Sequence, residues 1–340
     1  MSRPMRKAEV WSQGGGGQGG RGQGKHRRGE QLMVPRATFS SYYGRPVIKK
    51  PVWEERDIAG YLFTGGIAAG SALLAAGADR SGLPDLRRVA RLSSMAALAV
   101  SGVALVHDLG RPERFYNMLR VFKPTSPMSV GSWILSAFAV PVGIGFAAEV
   151  PGLLPPPLRP LVRRLAPTAS VAGAVLGSGV ATYTAVLICD TAVPAWHAAY
   201  PEMPFVFAGS ALSGSAGLAL MLTPCAQSGP AQRLAFLGAA LELSASQRLE
   251  HRLGMVGEPY KKLPSGRKMK LAKAMTLGGV VASTLLARRS RSMAAVSGAA
   301  LFAASALTRF AVFEAGVASV EDPSYTVVPQ RARAERRDQA

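Results

Sequence analysis

The stretch Ile58–Ala78, IAGYLFTGGIAAGSALLAAGA, lies between Asp57 and Asp79 and contains no charged residue. As an α-helix, these 21 residues reach about 30 Å, the thickness of the hydrocarbon core of a bilayer. Of the 340 residues in the chain, 48% are hydrophobic and only 18% are charged, whereas soluble proteins carry about 25% charged residues. The stretch therefore predicts a transmembrane helix, and the composition argues against an ordinary soluble enzyme.

Similar apolar runs recur along the rest of the chain and lack the two-residue alternation of strands. The sixth run contains Glu242, and the seventh is short and needs Lys270 and Lys273 to reach outward to the membrane surface. The pattern predicts an all-α integral membrane fold of about eight transmembrane helices in two four-helix bundles. The runs are 57–79, 92–106, 124–148, 165–189, 205–222, 231–249, 271–287 and 292–317.

Low-complexity sequence flanks this membrane part. We predict a disordered, basic, Gly-rich tail at residues 1–50, a transmembrane domain at 51–320 and a basic C-terminal tail at 321–340. The Gly-rich tail could also be an Arg/Gly arm that binds RNA or lipid. Its scarcity of aromatic residues argues against the RNA alternative, so no nucleic-acid partner is expected.

Loop charges predict the orientation. With eight spans both termini lie on one side, and the loops and tails of that side carry more Lys and Arg than those of the other side. The positive-inside rule then places both termini in the cytoplasm, in a multi-pass protein of the cytoplasmic (plasma) membrane.

The cysteines and histidines restrict the redox groups that the chain can hold. Cys189 and Cys225 are its two cysteines, too few for an iron–sulfur cluster, and we expect them at opposite membrane faces without a disulfide. None of the four histidines lies in the middle of an apolar run, which argues against haem. We therefore expect no haem, iron–sulfur cluster or metal in this chain.

Two segments between the second and third helices carry the most information. Residues 107–116 read HDLGRPERFY, and residues 126–133 read SPMSVGSW. With residues 61–70, YLFTGGIAAG, they resemble the NrfD/PsrC family, the quinone-handling membrane subunits of polysulfide-reductase-like and other molybdenum oxidoreductases. Val193–Trp196 and Glu321–Pro323 are also similar, so the resemblance covers about residues 52–330.

Several polar and aromatic residues are expected at one end of the first four helices. A quinone site needs an apolar slot, hydrogen-bond partners for two carbonyl oxygens, and a group that takes or gives protons. His107 is the best candidate for proton transfer because free histidine titrates near neutrality, and Asp108 follows it. The residues expected to contact a quinone are Asp57, Tyr61, Trp133, Tyr183 and Asp190.

Structural explanations remain open for the same residues. His107 and Asp108 could hold a loop, and Tyr61 and Trp133 could be interfacial anchors. The resemblance implies a pocket for menaquinone or another quinone at this end, near a [4Fe–4S] ferredoxin-like subunit that serves a molybdopterin catalytic subunit. Arg111 and Arg114 are the expected docking residues for that partner.

Charged residues inside or at the ends of the spans suggest an alternative function. Glu242 and Arg309 lie within predicted spans, and Asp79 and Glu149 end the first and third helices on the far side. A charge at bilayer depth is costly and calls for a partner or a polar path. The four residues could form a proton route in a proton-translocating subunit, or Glu242 and Arg309 could form a structural ion pair. A solute transporter ranks third because no internal repeat is evident.

Overall fold

The computed structural model describes residues 46–109, 111–287 and 290–338, and these ranges form helices without any strand. The predicted tail at residues 1–50 lies almost entirely outside the described residues. The helices are α1 Glu55–Arg80, α2 Pro84–Asp108, α3 Pro127–Glu149, α4 Arg159–Cys189, α5 Pro194–Ala198, α6 Met203–Leu222, α7 Gly229–Arg252, α8 Pro264–Leu285, α9 Arg291–Glu321 and α10 Ser324–Asp338. The all-α prediction is confirmed.

Six helices are long and apolar enough to cross a bilayer: α1, α2, α3, α4 with the turn before it, α6 and α9. The protein is therefore a multi-pass membrane protein. Among the described helices, α7 and α8 miss this criterion, since α7 has charged residues at its middle and end and α8 begins with a basic turn. The predicted count of eight spans is not confirmed and stays a prediction.

The long helices pack in two sets. Helices α1–α4 contact mainly one another, as do α6–α9, and α1 additionally packs against α6 and α9. The division into two four-helix bundles nevertheless stays a prediction. Contacts at both ends show that the consecutive helices α1 and α2 are antiparallel. For example, His107 of α2 contacts Asp57 at the start of α1, and Arg91 of α2 contacts Asp79 at its end. We call the end with His107 the site end and the other the far end.

Small residues bring α1 close to its neighbours. A Cβ on Gly66 would lie 3.1 Å from Ala211 Cβ of α6, and one on Gly70 would lie 2.8 Å from the Ala211 carbonyl oxygen. A Cβ on Gly177 of α4 would lie 3.1 Å from the Ala69 carbonyl oxygen. Lipid gives no hydrophobic drive for helix association, so close backbone approach supplies the packing energy. Gly66 and Gly70 are four residues apart, so both lie on the face of α1 that meets α6.

In the second set, α6 packs closely against both α7 and α9. A Cβ on Gly209 would lie 2.4 Å from the Glu242 amide nitrogen of α7, and a Cβ on Gly217 would lie 2.5 Å from the Gly298 carbonyl oxygen of α9. Both approaches exclude any larger residue unless a backbone moves. Glycine therefore positions α7 and α9 directly against α6.

Trp196 fixes the site end of the second set. Its indole is fully buried, donates a hydrogen bond of 2.7 Å to the Val312 carbonyl oxygen and stacks on Trp53 at 6.0 Å between ring centroids. Tyr260 donates to the Ala195 carbonyl oxygen over 3.2 Å, and burial raises the pKa of its phenol well above the usual value, which keeps the donor protonated. These contacts join the segment before α1 to α5 and α9.

The glycine at position 70 gives a stability prediction. We expect Gly70→Ala to lower the stability of the α1–α6 contact by about 1–3 kcal/mol, because the added Cβ overpacks a backbone contact. The measurement is thermal unfolding of the purified protein in detergent. The control is Gly77→Ala on the same helix, where a Cβ meets nothing within 4 Å; it should be neutral or stabilise by about 0.5–1 kcal/mol. Equal melting temperatures for the two variants would contradict the close contact of α1 with α6 at Gly70.

Candidate functional site

The segment SPMSVGSW forms the start of α3 and holds the preceding loop in place. The Ser126 hydroxyl caps the helix by accepting from the Ser129 amide at 3.4 Å, and Pro127 occupies the first turn. The Ser129 hydroxyl donates to the Val121 carbonyl oxygen at 3.1 Å. The Ser132 hydroxyl lies 3.3 Å from the carbonyl oxygen of Met118, in the 3₁₀ segment Pro112–Leu119. The motif thus ties that segment against α3.

An apolar cleft lies between α2, this 3₁₀ segment and α3. Its volume is about 600 Å³, within the range of about 300–1,000 Å³ that small-molecule pockets occupy. Helix α2 contacts α3 much less than it contacts α1, which leaves room for the cleft. The few polar groups in its lining are His107, Ser132 and Ser136; the apolar lining includes Gly102, Val103, Leu105, Leu109, Phe115, Met118, Leu119 and Leu135.

A smaller and more polar chamber adjoins the cleft. The chamber measures about 80 Å³, and Tyr61, Asp108 and Tyr183 supply polar groups to its lining. Its wall shares four residues with the cleft, namely Leu105, Leu109, Met118 and Ser132. The two cavities are therefore neighbours separated by a few side chains.

Two tyrosines face this chamber without a hydrogen bond. Tyr61 is 3% exposed and Tyr183 is 9% exposed, and within the described part of the chain neither hydroxyl has a hydrogen-bond partner. The Tyr183 ring lies directly on Gly131, where a Cβ would come within 2.3 Å of the ring. Neither hydroxyl oxygen is among the fully enclosed atoms that lack a partner in the described part of the chain, so both are accessible to water or a ligand in the chamber.

His107 and Asp57 form a pair at the edge of the cleft. His107 Nδ1 lies 2.6 Å from Asp57 Oδ2, and the imidazole is 72% exposed while the carboxylate is 20% exposed. The carboxylate orients the ring through Nδ1 and leaves Nε2 free for a proton or a ligand. Asp108 Oδ1 accepts from the Glu54 amide at 3.3 Å, so the loop before α1 fixes it beside the pair.

Five of the predicted site residues therefore lie around the cleft and chamber, and two do not. Trp133 is 40% exposed and packs edge-on against Phe122, outside both cavities. Asp190 is exposed just after α4 and does not line either cavity. The five that share the site are Asp57, Tyr61, His107, Asp108 and Tyr183.

Three of the lining residues that sequence reasoning missed are Ser132, Trp53 and Met118. Ser132 could have been selected because it stands in the quoted motif, one helical turn after Ser129. Trp53 and Met118 lie in the segments that precede α1 and α3. No local pattern marks them, because tertiary packing brings these segments to the chamber.

The far end of the first four helices carries an ion-pair network, whereas the site end carries the cleft and the chamber. Arg91 is 6% exposed; its Nη2 lies 2.6 Å from Asp79 Oδ2 and its Nη1 lies 2.9 Å from Glu149 Oε1. Arg87 Nε also lies 2.9 Å from Glu149 Oε1, and the Ser170 hydroxyl accepts from Arg91 at 2.9 Å. Asp79 and Glu149, predicted as proton-path residues, are thus partners of arginines that join α1, α2, α3 and α4.

The predicted direct ion pair between Glu242 and Arg309 is not formed. Glu242 accepts hydrogen bonds from Thr308 at 2.8 Å and Ser213 at 3.2 Å. Arg309 instead donates to the Phe207 carbonyl oxygen at 2.7 Å and lies 3.7 Å over the Phe207 ring. Because Thr308 and Arg309 are consecutive on α9, their side chains point in directions about 100° apart. The Thr308 hydroxyl therefore reaches Glu242 of α7, and the Arg309 guanidinium reaches Phe207 of α6.

Three smaller predictions concern cysteines, metals and docking. Cys189 is buried and Cys225 is half-buried, and both are free thiols, as expected. Among the described residues, no group of three or more His, Cys, Asp or Glu could hold a metal ion. Arg111 and Arg114 are exposed beside the 3₁₀ segment at the site end.

A comparison with protein families decides the relationship that these motifs suggested. The family model described as Polysulphide reductase, NrfD matches residues 48–235, more than half of the chain. The chain belongs to the NrfD family. The matched region of this NrfD protein includes α1–α6 and therefore every residue of the cleft and chamber. A search of curated proteins found no match. NrfD proteins are generally membrane subunits of redox complexes.

The ion-pair network of this NrfD protein gives a second stability prediction. We expect Arg91→Gln to destabilise the protein by about 1–3 kcal/mol, because it removes the buried partner of Asp79 and Glu149 and leaves both carboxylates only the more exposed Arg87. Denaturant or thermal unfolding in detergent measures the effect. The control Arg88→Gln, an exposed residue on the same helix, should change stability by about 0.5 kcal/mol or less. A melting temperature for Arg91→Gln equal to that of the control would show that the network is not structural.

Proposed function

We propose that this protein is the quinone-reactive membrane subunit of a redox complex. The observation that carries the proposal is an apolar cleft that meets a polar chamber at the site end of α1–α4. The cleft suits the ring and hydrocarbon tail of menaquinone or another quinone, and the gap between α2 and α3 provides a route from the lipid. NrfD membership supports the same role, since the family serves redox complexes.

The polar end of the site fits the two carbonyl oxygens of a quinone. Tyr61 and Tyr183 offer hydroxyl donors whose hydrogen-bonding capacity is unused within the described residues, and Ser132 stands at the shared wall. Such donors can bind a quinone carbonyl and hold the hydroxyl of the reduced form. A few convergent polar groups in an apolar pocket fix the orientation of a ligand.

The pair of His107 and Asp57 is suited to proton exchange. Oxidation of a quinol releases two electrons and two protons, so the site needs an acceptor with access to water. His107 lines the cleft, is largely exposed and is oriented by the Asp57 carboxylate. A histidine held in this way takes a proton from the quinol hydroxyl and passes it to solvent, and the reverse sequence serves quinone reduction.

The electrons require a partner. A [4Fe–4S] cluster takes four cysteine thiolates, and this chain has two cysteines in all. The resemblance to the membrane subunits of polysulfide-reductase-like enzymes implies a [4Fe–4S] ferredoxin-like subunit at the site end and a molybdopterin catalytic subunit beyond it, and we propose both as partners. Arg111 and Arg114 are exposed at this end and are the proposed docking cations.

The proposed orientation follows from charge. The segment that enters α1 and the end of α9 meet at the site end through Lys50 and Glu321, and the loop sequences assigned to this side carry more basic residues than those of the far end. We therefore place this end on the cytoplasmic side of the plasma membrane.

A substitution that fills the cleft tests the quinone proposal. Gly102 lines the cleft, and a Cβ at this position meets nothing within 4 Å. We expect Gly102→Leu to leave the fold intact, to raise the KM for a quinol at least about tenfold, equivalent to 1.4 kcal/mol of binding, and to reduce the quinone that co-purifies. The measurement is quinol-dependent reduction of an artificial electron acceptor by the purified complex.

Gly143→Leu is the matched control for this test. Gly143 lies on α3 outside the cleft, is also half-buried and has equally free space around its Cα. The control should keep the wild-type KM and quinone content. Equal behaviour of the two variants, with normal melting temperatures, would refute a quinone site in the cleft.

Charge reversal tests the docking face. We expect Arg111→Glu with Arg114→Glu to reduce co-purification of an iron–sulfur subunit, because two favourable charge contacts become repulsive. Reversal of Arg163 and Arg164, which are exposed at the far end, is the control and should leave co-purification unchanged. Quantitative mass spectrometry of the purified complex measures the ratio of subunits. Loss only in the far-end variant would place the partner on the other side.

A further inference from the structure

The second helix set contains a buried cluster of polar side chains that the quinone site does not use. Glu242 is 3% exposed and lies near the middle of α7; Arg309 of α9 is 1% exposed. Gly209 lets the backbone of α7 approach α6 closely at Glu242. Four buried hydroxyl residues from α6 and α9 complete the cluster: Ser210, Ser213, Ser305 and Thr308.

The contacts differ from those of a structural ion pair. An arginine and a carboxylate that serve only to neutralise each other are expected to meet in direct, often bidentate hydrogen bonds. Here Glu242 is held by the Thr308 and Ser213 hydroxyls, and Arg309 by a carbonyl oxygen and a ring of α6. The positive charge of Arg309 on α9 nevertheless interacts electrostatically with the Glu242 carboxyl group.

Two nitrogen atoms of the buried guanidinium lack a partner. Nε and Nη1 of Arg309 are enclosed and make no hydrogen bond within the described part of the chain. Buried N–H groups of a cation are costly when they are left unsatisfied, and bound water is the usual remedy in a polar interior. The cluster is therefore a place where water is expected beside a carboxyl group and several hydroxyls.

The cluster lies between the quinone chamber and the far end. Arg309 Nη2 lies close to Gly66 of α1, five residues from Tyr61, so the axial rise along α1 is about 7–8 Å. Within the cluster, the Ser210 and Ser305 hydroxyls are hydrogen bonded at 3.0 Å. Near the far end of the same helix set, Gln232 donates to Ser228 at 3.3 Å, and the buried Thr223 hydroxyl has no hydrogen-bond partner among the residues that the structure describes. Polar groups thus recur from the chamber side towards the far end.

We infer that Glu242 is a proton-binding site that links quinone chemistry to proton transfer across the membrane. The inference rests on the proposed quinone function. Each quinol that is oxidised gives two electrons to the iron–sulfur partner and two protons to the site end. In the same cycle the Glu242 carboxylate takes a proton from one side and releases it to the other, returning to the carboxylate. Arg309 stabilises the negative charge of the carboxylate, and the buried hydroxyls with bound water relay the proton to and from Glu242.

Proton and electron counts on the same preparation test this inference. The complex purified through this chain is placed in proteoliposomes, and quinol oxidation and proton movement are followed together. We expect Glu242→Gln to lower proton transfer through the second helix set by about 100-fold, the usual effect of removing a positioned acid–base group. Protons moved per electron then fall towards the value for quinol chemistry alone. An unchanged ratio at wild-type turnover would overturn the inference.

Glu202→Gln is the matched control. Glu202 is equally buried at 3% exposure, but it pairs with Arg252 at the site end, away from the cluster. Its replacement should preserve the ratio of protons to electrons even if stability falls. Wild-type complex that oxidises no quinol would instead contradict the proposed function, so the two failures are distinguishable.

Infrared difference spectra supply a second measurement that does not require turnover. We expect reduction of bound quinone to change a carboxylic acid band that is absent from Glu242→Gln. Thr308→Val keeps the carboxyl group and removes one hydrogen bond to it, so the same band should shift. A spectrum without a carboxylic acid band that responds to either substitution would show that Glu242 keeps one protonation state, and would also overturn the inference.

Discussion

Close backbone approach at α1 and α6 is the constraint on which the rest of the structure depends. Lipid tails are as apolar as the helix surfaces, so burial alone does not hold transmembrane helices together. Gly66 and Gly70 bring α1 against α6, while Gly209 and Gly217 bring α6 against α7 and α9. Because α1 also packs against α2 and α4, this single interface fixes the polar chamber relative to the buried Glu242 cluster.

The two ends of the first four helices divide stability and chemistry between them. At the far end, Arg91 joins α1, α3 and α4 to α2 through charged and polar contacts. At the site end, α2 and α3 diverge, and a short 3₁₀ segment tied down by Ser132 covers part of the gap. A helix bundle that is held together by ion pairs at one end can leave a cleft at the other end. Ligand pockets commonly lie between the helices of a bundle.

Polar groups in the two helix sets are held differently. His107 meets Asp57 directly and in contact with water, as suits a group that exchanges protons with solvent. Glu242 and Arg309 are enclosed, and each is held by α6 or α9 hydroxyls, a carbonyl oxygen or a ring instead of by the other. Charges so placed are expensive in a membrane. A purely structural purpose would be served better by a direct pair or by apolar residues.

The sequence by itself determined the helical membrane fold and the NrfD family, because apolar length and local motifs need no tertiary information. It also predicted that the five residues around the cleft and chamber lie at one end of the first four helices, since consecutive antiparallel helices place their alternate ends together. It could not separate Tyr61 and Tyr183, which line the chamber, from Trp133 and Asp190, which do not. Only the tertiary structure decided that, and it also decided that Glu242 bonds to Thr308 instead of Arg309. The reason is that packing against neighbouring helices sets the rotation of each helix about its axis. Successive side chains on a helix point about 100° apart, so this rotation decides which of them faces the chamber.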